Sequence, residues 1–350
     1  MSDNRLTVGI VGASGYTGGE LLRLLLAHPG VEVVLATSEQ NVGKPVHQVH
    51  PHLRGQSNLR FSSRSELMPV DVLFLAMPHG EAQARIAEFA SQAERIIDLS
   101  ADFRLRNASQ YAAAYQCDHL TPDWLPLFVY GLPELHRAAL REARYASGVG
   151  CNATATILAL WALVQGGVVQ PDQPVIVDLK VGSSEAGQSP TAASHHPARS
   201  GVVRPFQLTG HRHEAEVRQA LAVCGDFDVR MAVTSVEMVR GVAAAVHLTL
   251  PTGLAERTLW GHYRAAWNDE PFVRVVHDRR SLHRHPEPRL LAGTNYADVG
   301  WDYDPQTGRA VLLAALDNLG KGAAGSAVQC MNLMCGFEET TALTFGGIYP

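Results

Sequence analysis

Residues Leu6 to Gly18 read LTVGIV-GASGYTG, and the helix-period stretch Glu20 to Ala27 follows them directly. A short apolar run rich in β-branched residues, then glycines at Gly12, Gly15 and Gly18, then a helix, is the order of strand, tight turn and helix that cradles a dinucleotide pyrophosphate. The glycines permit the turn and let backbone approach a phosphate, while the helix N-terminus favours the negative charge. The same residues could also serve only as a structural turn. Further strands are expected at Val31 to Ala36, Val70 to Ala76 and Arg95 to Leu99, with a helix from Glu81 to Ala93. Strands apolar along their length and alternating with helices predict a parallel sheet covered on both faces, so about the first 150 residues read as one doubly wound domain.

After Cys151 the pattern changes. An amphipathic helix is predicted over Ala153 to Val164, with Ile157, Leu160, Trp161 and Val164 on its apolar stripe. Longer strands follow at Val175 to Val181, Arg230 to Val239 and Val242 to Leu250, the last two joined at Arg240-Gly241 like an antiparallel pair. This half reads as α+β with a largely antiparallel sheet. The closing segment Gly320 to Cys335 has small residues followed by apolar ones at helical spacing. The pattern therefore divides the chain at about residue 150.

Composition narrows the function. The 350 residues are 46% hydrophobic and 18% charged, below the roughly 25% charge of ordinary soluble domains, which excludes a disordered chain. A net charge of -5 supplies no global field for nucleic acid. Five scattered cysteines without a C-x-x-C pair argue against a disulfide framework or a cysteine metal site, and predict a reducing compartment. The start lacks the basic and apolar regions of a secretory signal, and no apolar run reaches the ~18 residues of a membrane span. A cytoplasmic protein is expected.

Three clusters carry chemistry. Cofactor contacts are expected from Gly12, Ser14, Gly15, Tyr16, Thr17 and Gly18, and from Pro78-His79-Gly80 at the end of the third strand, although His79 reads equally well as an idle loop histidine. The second strand ends Thr37-Ser38 without the acid that grips a ribose 2′-hydroxyl, which favours NADP, with Glu39 one position beyond. Cys151 stands in Gly148-Val149-Gly150-Cys151-Asn152-Ala153-Thr154 at a helix start, where N–H groups stabilise a thiolate and an oxyanion. The other cysteines read as small buried residues. His211 and His213, in Gly210-His211-Arg212-His213-Glu214, are the candidate acid/base groups, and His213 opens a helical stretch. An H-x-H pair alone, with His195 and His196 in a loop, does not make a metal site, and none is expected.

Taken together, GASGYTG, Pro78-His79-Gly80, Asp98-Leu99-Ser100-Ala101-Asp102-Phe103-Arg104, Tyr130-Gly131-Leu132-Pro133-Glu134, the Cys151 segment, His211-Arg212-His213 and Asp317-Asn318-Leu319-Gly320-Lys321-Gly322-Ala323 resemble the N-acetyl-γ-glutamyl-phosphate reductase family, a branch of the semialdehyde dehydrogenases. The resemblance spans the chain. It implies an NADP-binding domain completed by the C-terminal helix, hence domains of 1–150 with 318–350 and of 151–317, and an acyl-phosphate reduction through a cysteine thioester, with Cys151 as nucleophile and His213 as acid/base. It further implies substrate contacts at Arg104, Asn152, Lys180 and Glu185, and cofactor contacts at Asn318, Lys321 and Gly322. The arginine-pathway members read Asn-Pro-Gly-Cys-Tyr-Pro-Thr at the nucleophile. Gly150-Cys151-Asn152-Ala153 instead resembles the lysine-biosynthesis branch, which reduces 2-aminoadipate 6-phosphate attached to the acidic amino-group carrier protein LysW. The alternatives are the free N-acetylglutamyl phosphate enzyme and a non-catalytic NADP-binding sensor. A homodimer or homotetramer is implied. Basic loops, Arg274 to Arg289 and the Lys180, Arg199 and Arg204 region beside His195 and His196, are the expected docking surfaces for the carrier.

Overall fold

The computed structural model describes residues 5–278 and 280–349. The chain divides into two compact units, Met1–Val149 with Ala323–Phe345, and Gly150–Gly322 with Gly346–Pro350.

The first unit is built on six parallel strands, β1 (Leu6–Val11), β2 (Val31–Ala36), β3 (Val70–Leu75), β4 (Ala93–Asp98), β5 (Phe128–Tyr130) and β6 (Tyr145–Ser147), in the order β2-β1-β3-β4-β6-β5. Strand order reverses between β1 and β3. That switch point, at the carboxyl ends of the two strands, is the position where sheets of this kind take ligands. The apolar runs are buried as their composition requires: Ile10, Val11, Val72, Leu73, Phe74 and Leu75 are all fully buried. The core continues through Ile86, Phe89, Ile96, Phe103 and Phe128, with the last two rings stacked at 4.1 Å. The helix Gly325–Met334 belongs to this unit and is buried along its whole length. Its Cys330 thiol donates to the Gly131 carbonyl at 3.4 Å, and Arg137 pairs with Glu339 at 2.7 Å.

The second unit carries a seven-stranded sheet, β7 (Val175–Val181), β8 (Val203–Gln207), β9 (Val229–Val236), β10 (Val242–Thr249), β11 (Val273–Val275), β12 (Ala297–Tyr303) and β13 (Arg309–Leu316). The order is β11-β12-β13-β10-β7-β9-β8, antiparallel except at β11–β12 and β7–β9. The expected hairpin across Arg240-Gly241 does not form, because β7 lies between β9 and β10. The connection instead crosses the end of β7, where the N–H groups of Gly182, Ser183 and Ser184 donate to the carbonyls of Gly241, Met238 and Val239. These local bonds hold the crossing segment, and the strand ladders themselves are made with β7.

The helix Cys151–Gln165 departs from its expected amphipathic form. All but Cys151, Trp161 and Gln165 are buried, so it is a central helix wrapped by other elements instead of a surface helix with one apolar stripe. Its alanines and threonines keep it slim enough for that position. The Thr154 and Thr156 hydroxyls bond back to the carbonyls of Gly150 and Asn152, which satisfies them inside the core.

Candidate active site

In the first unit, each glycine of the β1 turn has its own steric reason. Gly12 has φ +82, and a Cβ there would stand 2.4 Å from the Ala76 carbonyl oxygen of the neighbouring β3 turn. A Cβ on Gly18 would lie 2.6 Å from Ala13 Cα, so glycine permits close packing of the helix Tyr16–Leu25 under the turn. Gly15 is different: nothing approaches its Cβ position closer than the Gly12 oxygen at 4.0 Å. It caps the helix without a side-chain hydrogen bond, so the first helical N–H groups face an open cradle. A dinucleotide pyrophosphate fits this arrangement. Tyr16 is exposed and Thr17 half-buried beside it.

The residues after β2 do other work than expected. Thr37 is buried, its hydroxyl accepting the Gly12 N–H at 3.3 Å and its carbonyl accepting the Ala13 N–H at 2.9 Å. It shapes the glycine turn through these two bonds. The Ser38 hydroxyl donates to Ser14 Oγ at 2.9 Å and accepts from Asn41. Glu39 is held by the backbone N–H of Arg64 at 2.8 Å and by its guanidinium, and this hydrogen bonding keeps its carboxyl below the ordinary range. A cation therefore accompanies the acid at the strand end.

At the β3 turn, Pro78 is exposed and His79 is anchored, its Nδ1 2.8 Å from Asp102 Oδ1 and its ring stacked on Tyr115 at 4.5 Å. Asp102 also accepts the N–H groups of Gly80 and Gln83 at 2.7 and 2.9 Å, capping the helix Glu81–Gln92. Burial pushes the Asp102 carboxyl up, but the hydrogen bonds from His79 and these N–H groups outweigh it and hold it low. Arg104 is buried, donating to the Ser100 carbonyl at 3.0 Å. Burial and the Asp102 charge raise the Asp98 carboxyl to about 7, and Arg104 pulls it the other way.

In the second unit, Cys151 is the first residue of its helix and is half-buried. Its thiol donates to Glu185 Oε1 at 3.1 Å, while Asn152 Oδ1 is 3.9 Å away. Gly322 lies directly behind the nucleophile, since a Cβ there would be 2.7 Å from Cys151 Cβ. On the other side, a Cβ on Gly150 would be 2.8 Å from His213 Nε2 and 2.7 Å from Glu216 Oε1. Glu216 accepts the Gly150 N–H at 2.9 Å and stands 3.8 Å from His213 Nε2. Glycine at 150 thus lets the His213 imidazole and the Glu216 carboxylate pack against the backbone that precedes Cys151, and glycine at 322 lets a second stretch of backbone pack against Cys151 itself.

The two histidines separate cleanly. His213 is buried at the start of the helix His213–Leu221, against Gly150. His211 accepts the His213 N–H through Nδ1 at 3.1 Å, which leaves its proton on Nε2. Burial and the adjacent Arg212 charge push the His211 imidazole down to about 4, so it stays neutral at pH 7 and positions His213. Glu216 had no role in the sequence reading. Its signal was the i, i+3 spacing from His213 on one helix face.

Three of the residues expected as contacts have neighbours of their own within the second unit. Lys180 alternates with the buried Val177, Leu179 and Val181, so it points to the opposite face of the sheet, where it pairs with Asp178. Asn318 is occupied within the second unit, accepting the Gly241 N–H and donating to Ser184 Oγ, both at 2.8 Å. Lys321 is fully buried with its ammonium 5.8 Å from the Phe272 ring centre. The basic loops are also partly neutralised: Arg274 pairs with Asp298 at 2.7 Å, and Arg199 and Arg204 donate to backbone carbonyls. Arg280, Arg284 and Arg289 remain in the first loop, and Arg279 lies outside the described residues.

The chain is similar to known proteins along its length. A Deinococcus radiodurans protein named LysW-L-2-aminoadipate 6-phosphate reductase is 45% identical over 350 residues, all of both chains. A Thermomicrobium roseum protein provisionally named for the same reduction is 52% identical over 99% of each chain. Among solved structures, aspartate semialdehyde dehydrogenase II of Vibrio cholerae has the same fold, with a TM-score of 0.71 at 17% identity over 95% of this chain and 98% of its own. Residues 7–143 match the NAD-binding domain of the semialdehyde dehydrogenases and residues 151–318 match their dimerisation domain, so this chain belongs to the semialdehyde dehydrogenase family.

Proposed function

We propose that the protein reduces 2-aminoadipate 6-phosphate, carried on the acidic protein LysW, to the semialdehyde with release of phosphate, using NADPH. The observation that carries this reading is the full-length 45–52% identity to relatives named for that reduction. In this reading the first unit holds the cofactor through Gly12, Ser14, Gly15 and Gly18, and the second performs the acyl chemistry.

The chemistry follows from the second unit. Sγ of Cys151 attacks the acyl carbon, and the N–H groups of the helix start stabilise the tetrahedral oxyanion. Collapse expels phosphate and leaves a thioester. When bound, the nicotinamide cofactor supplies the hydride that reduces it. His213 carries the proton that the resulting thiohemiacetal oxygen takes up and gives back as the aldehyde departs and the thiolate re-forms. Glu216 holds the imidazole against Gly150 during both transfers.

Asn152 and Ala153 beside the nucleophile leave a roomier acyl pocket than Tyr-Pro would, which supports a carrier-linked substrate over free N-acetylglutamyl phosphate. Arg280, Arg284 and Arg289 are the charges that would meet the acidic carrier. The half-exposed face of the second sheet, with Ile176, Ala243, Ala245 and Leu313, supports a homodimer or homotetramer formed through it. Five free thiols fit a cytoplasmic enzyme. The test is NADPH oxidation with LysW-linked aminoadipyl phosphate, LysW-linked glutamyl phosphate and free N-acetylglutamyl phosphate side by side. Equal or better kcat/KM on the free substrate overturns the carrier reading.

A further inference from the structure

We propose that Glu185 is a catalytic residue, taking the Cys151 thiol proton as the sulfur attacks and delivering it to the departing phosphate. This builds on the thioester route above.

The geometry is specific. The thiol aims at Glu185 Oε1, 3.1 Å away, within reach of a direct transfer from sulfur. The carboxylate is held firmly. It sits on the tight turn Ser183–Ala186 that follows β7, whose Ser183 and Ser184 N–H groups donate to the Met238 and Val239 carbonyls at 2.9 and 3.0 Å. The Ser184 hydroxyl in turn accepts from Asn318 at 2.8 Å. The groups acting on Glu185 are the Cys151 thiol, the Asn152 amide and the Arg212 guanidinium. Burial outweighs all three and raises its carboxyl to about 7, so near neutrality it can both accept and release a proton.

Reaction balance gives this carboxylate a duty separate from that of His213. In the acyl-transfer half, the S–H bond breaks and a Glu185 O–H bond forms while sulfur bonds to the acyl carbon. The C–O bond to phosphate then breaks with its electron pair on oxygen, and the Glu185 proton neutralises that oxygen. In the second half the hydride-reduced carbon expels thiolate, and one proton from water restores the thiol. The net uptake of one proton per turnover matches reduction of an acyl phosphate by NADPH.

The test uses the full chain and compares Glu185→Gln and Glu185→Asp with wild type in two assays, alkylation of Cys151 by iodoacetamide across pH and turnover on the carrier-linked acyl phosphate. Glutamine removes a negative charge beside the sulfur, so the thiolate forms at lower pH and alkylation at pH 7 should quicken three-fold or more. Turnover should nevertheless fall at least ten-fold, and the acid limb of kcat/KM near pH 7 should disappear. Glu185→Asp, which keeps a carboxylate, should recover part of the rate. Opposite signs in the two assays separate a proton acceptor from a merely structural residue, whose loss would slow both. Undiminished turnover in Glu185→Gln, or alkylation that is unchanged or slower, overturns the proposal. If the wild type reduces none of the acyl phosphates offered, the substrate reading fails, and the alkylation profiles still decide whether sulfur and carboxylate share a proton.

Discussion

Gly322→Ala should move the nucleophile by adding a single methyl group. The new Cβ would lie 2.7 Å from Cys151 Cβ, 3.2 Å from Cys151 Cα and 3.2 Å from the Asp317 carbonyl oxygen. Carbon atoms rest at about 3.5–4.0 Å, so the Cys151 Cβ must retreat by roughly 0.8 Å or more. It cannot retreat freely, because its helix is buried on nearly every side and Gly150 behind it already touches His213 and Glu216. Overpacking of this kind costs about 1–3 kcal/mol of stability. The kinetic effect should be larger, because a displacement of about 1 Å in a reacting atom can lower the rate 100-fold. Gly261→Ala is the control: it lies in the helix Glu256–Trp267 with nothing within 4 Å of its Cβ position, and alanine there should stabilise by up to about 1 kcal/mol. The measurements are melting temperature, kcat and the iodoacetamide rate for each variant. Wild-type kcat together with an unshifted melting point in Gly322→Ala would refute the steric argument.

Cys151→Ser should abolish reduction while NADPH still quenches or enhances fluorescence on binding, and retention of a tenth of the wild-type rate would defeat the covalent route. His213→Asn should cost more kcat than His211→Asn, since only His213 lies against Gly150 and Glu216; equal losses would show that the pair acts as one unit. Arg64→Ala frees the Glu39 carboxylate at the end of β2, so NADPH should lose kcat/KM relative to NADH by like-charge repulsion of its 2′-phosphate, and an unchanged ratio would place that phosphate elsewhere. Stability should fall on acidification. His211 has a pKa of about 4 in the fold against 6.5 for the ordinary side chain, so between those values the unfolded chain binds the extra proton. Its contribution is complete above about pH 6.5 and is lost as pH drops towards 4, and burial lowers His28, His50, His119 and His136 in the same sense. Urea midpoints at pH 7.5 and 5 test this; equal midpoints contradict it.

Local information was enough for much of this protein. The β1 strand, its glycine turn and the following helix are specified by residues within one short segment, and β2 and β7 appear with their predicted bounds for the same reason. The position of Cys151 at a helix start also depends only on the residues around it. Tertiary structure decided whatever depended on residues distant in sequence. Glu185 meets the Cys151 thiol across 34 positions, and Asp102 reaches His79 from another loop, because strand order brings those loop ends together. Thr37 turned inward because the Gly12 N–H needed an acceptor, an obligation visible only once β1 and β2 are paired. The insertion of β7 between β9 and β10 is likewise a matter of strand pairing, which composition does not encode at a turn. Alternation along β7 put Lys180 on the face opposite Val177 and Leu179, but which face the helices cover was set by the packing of the whole unit. Period and turn chemistry act between near neighbours, whereas a site is assembled from side chains whose separation is set by the sheet.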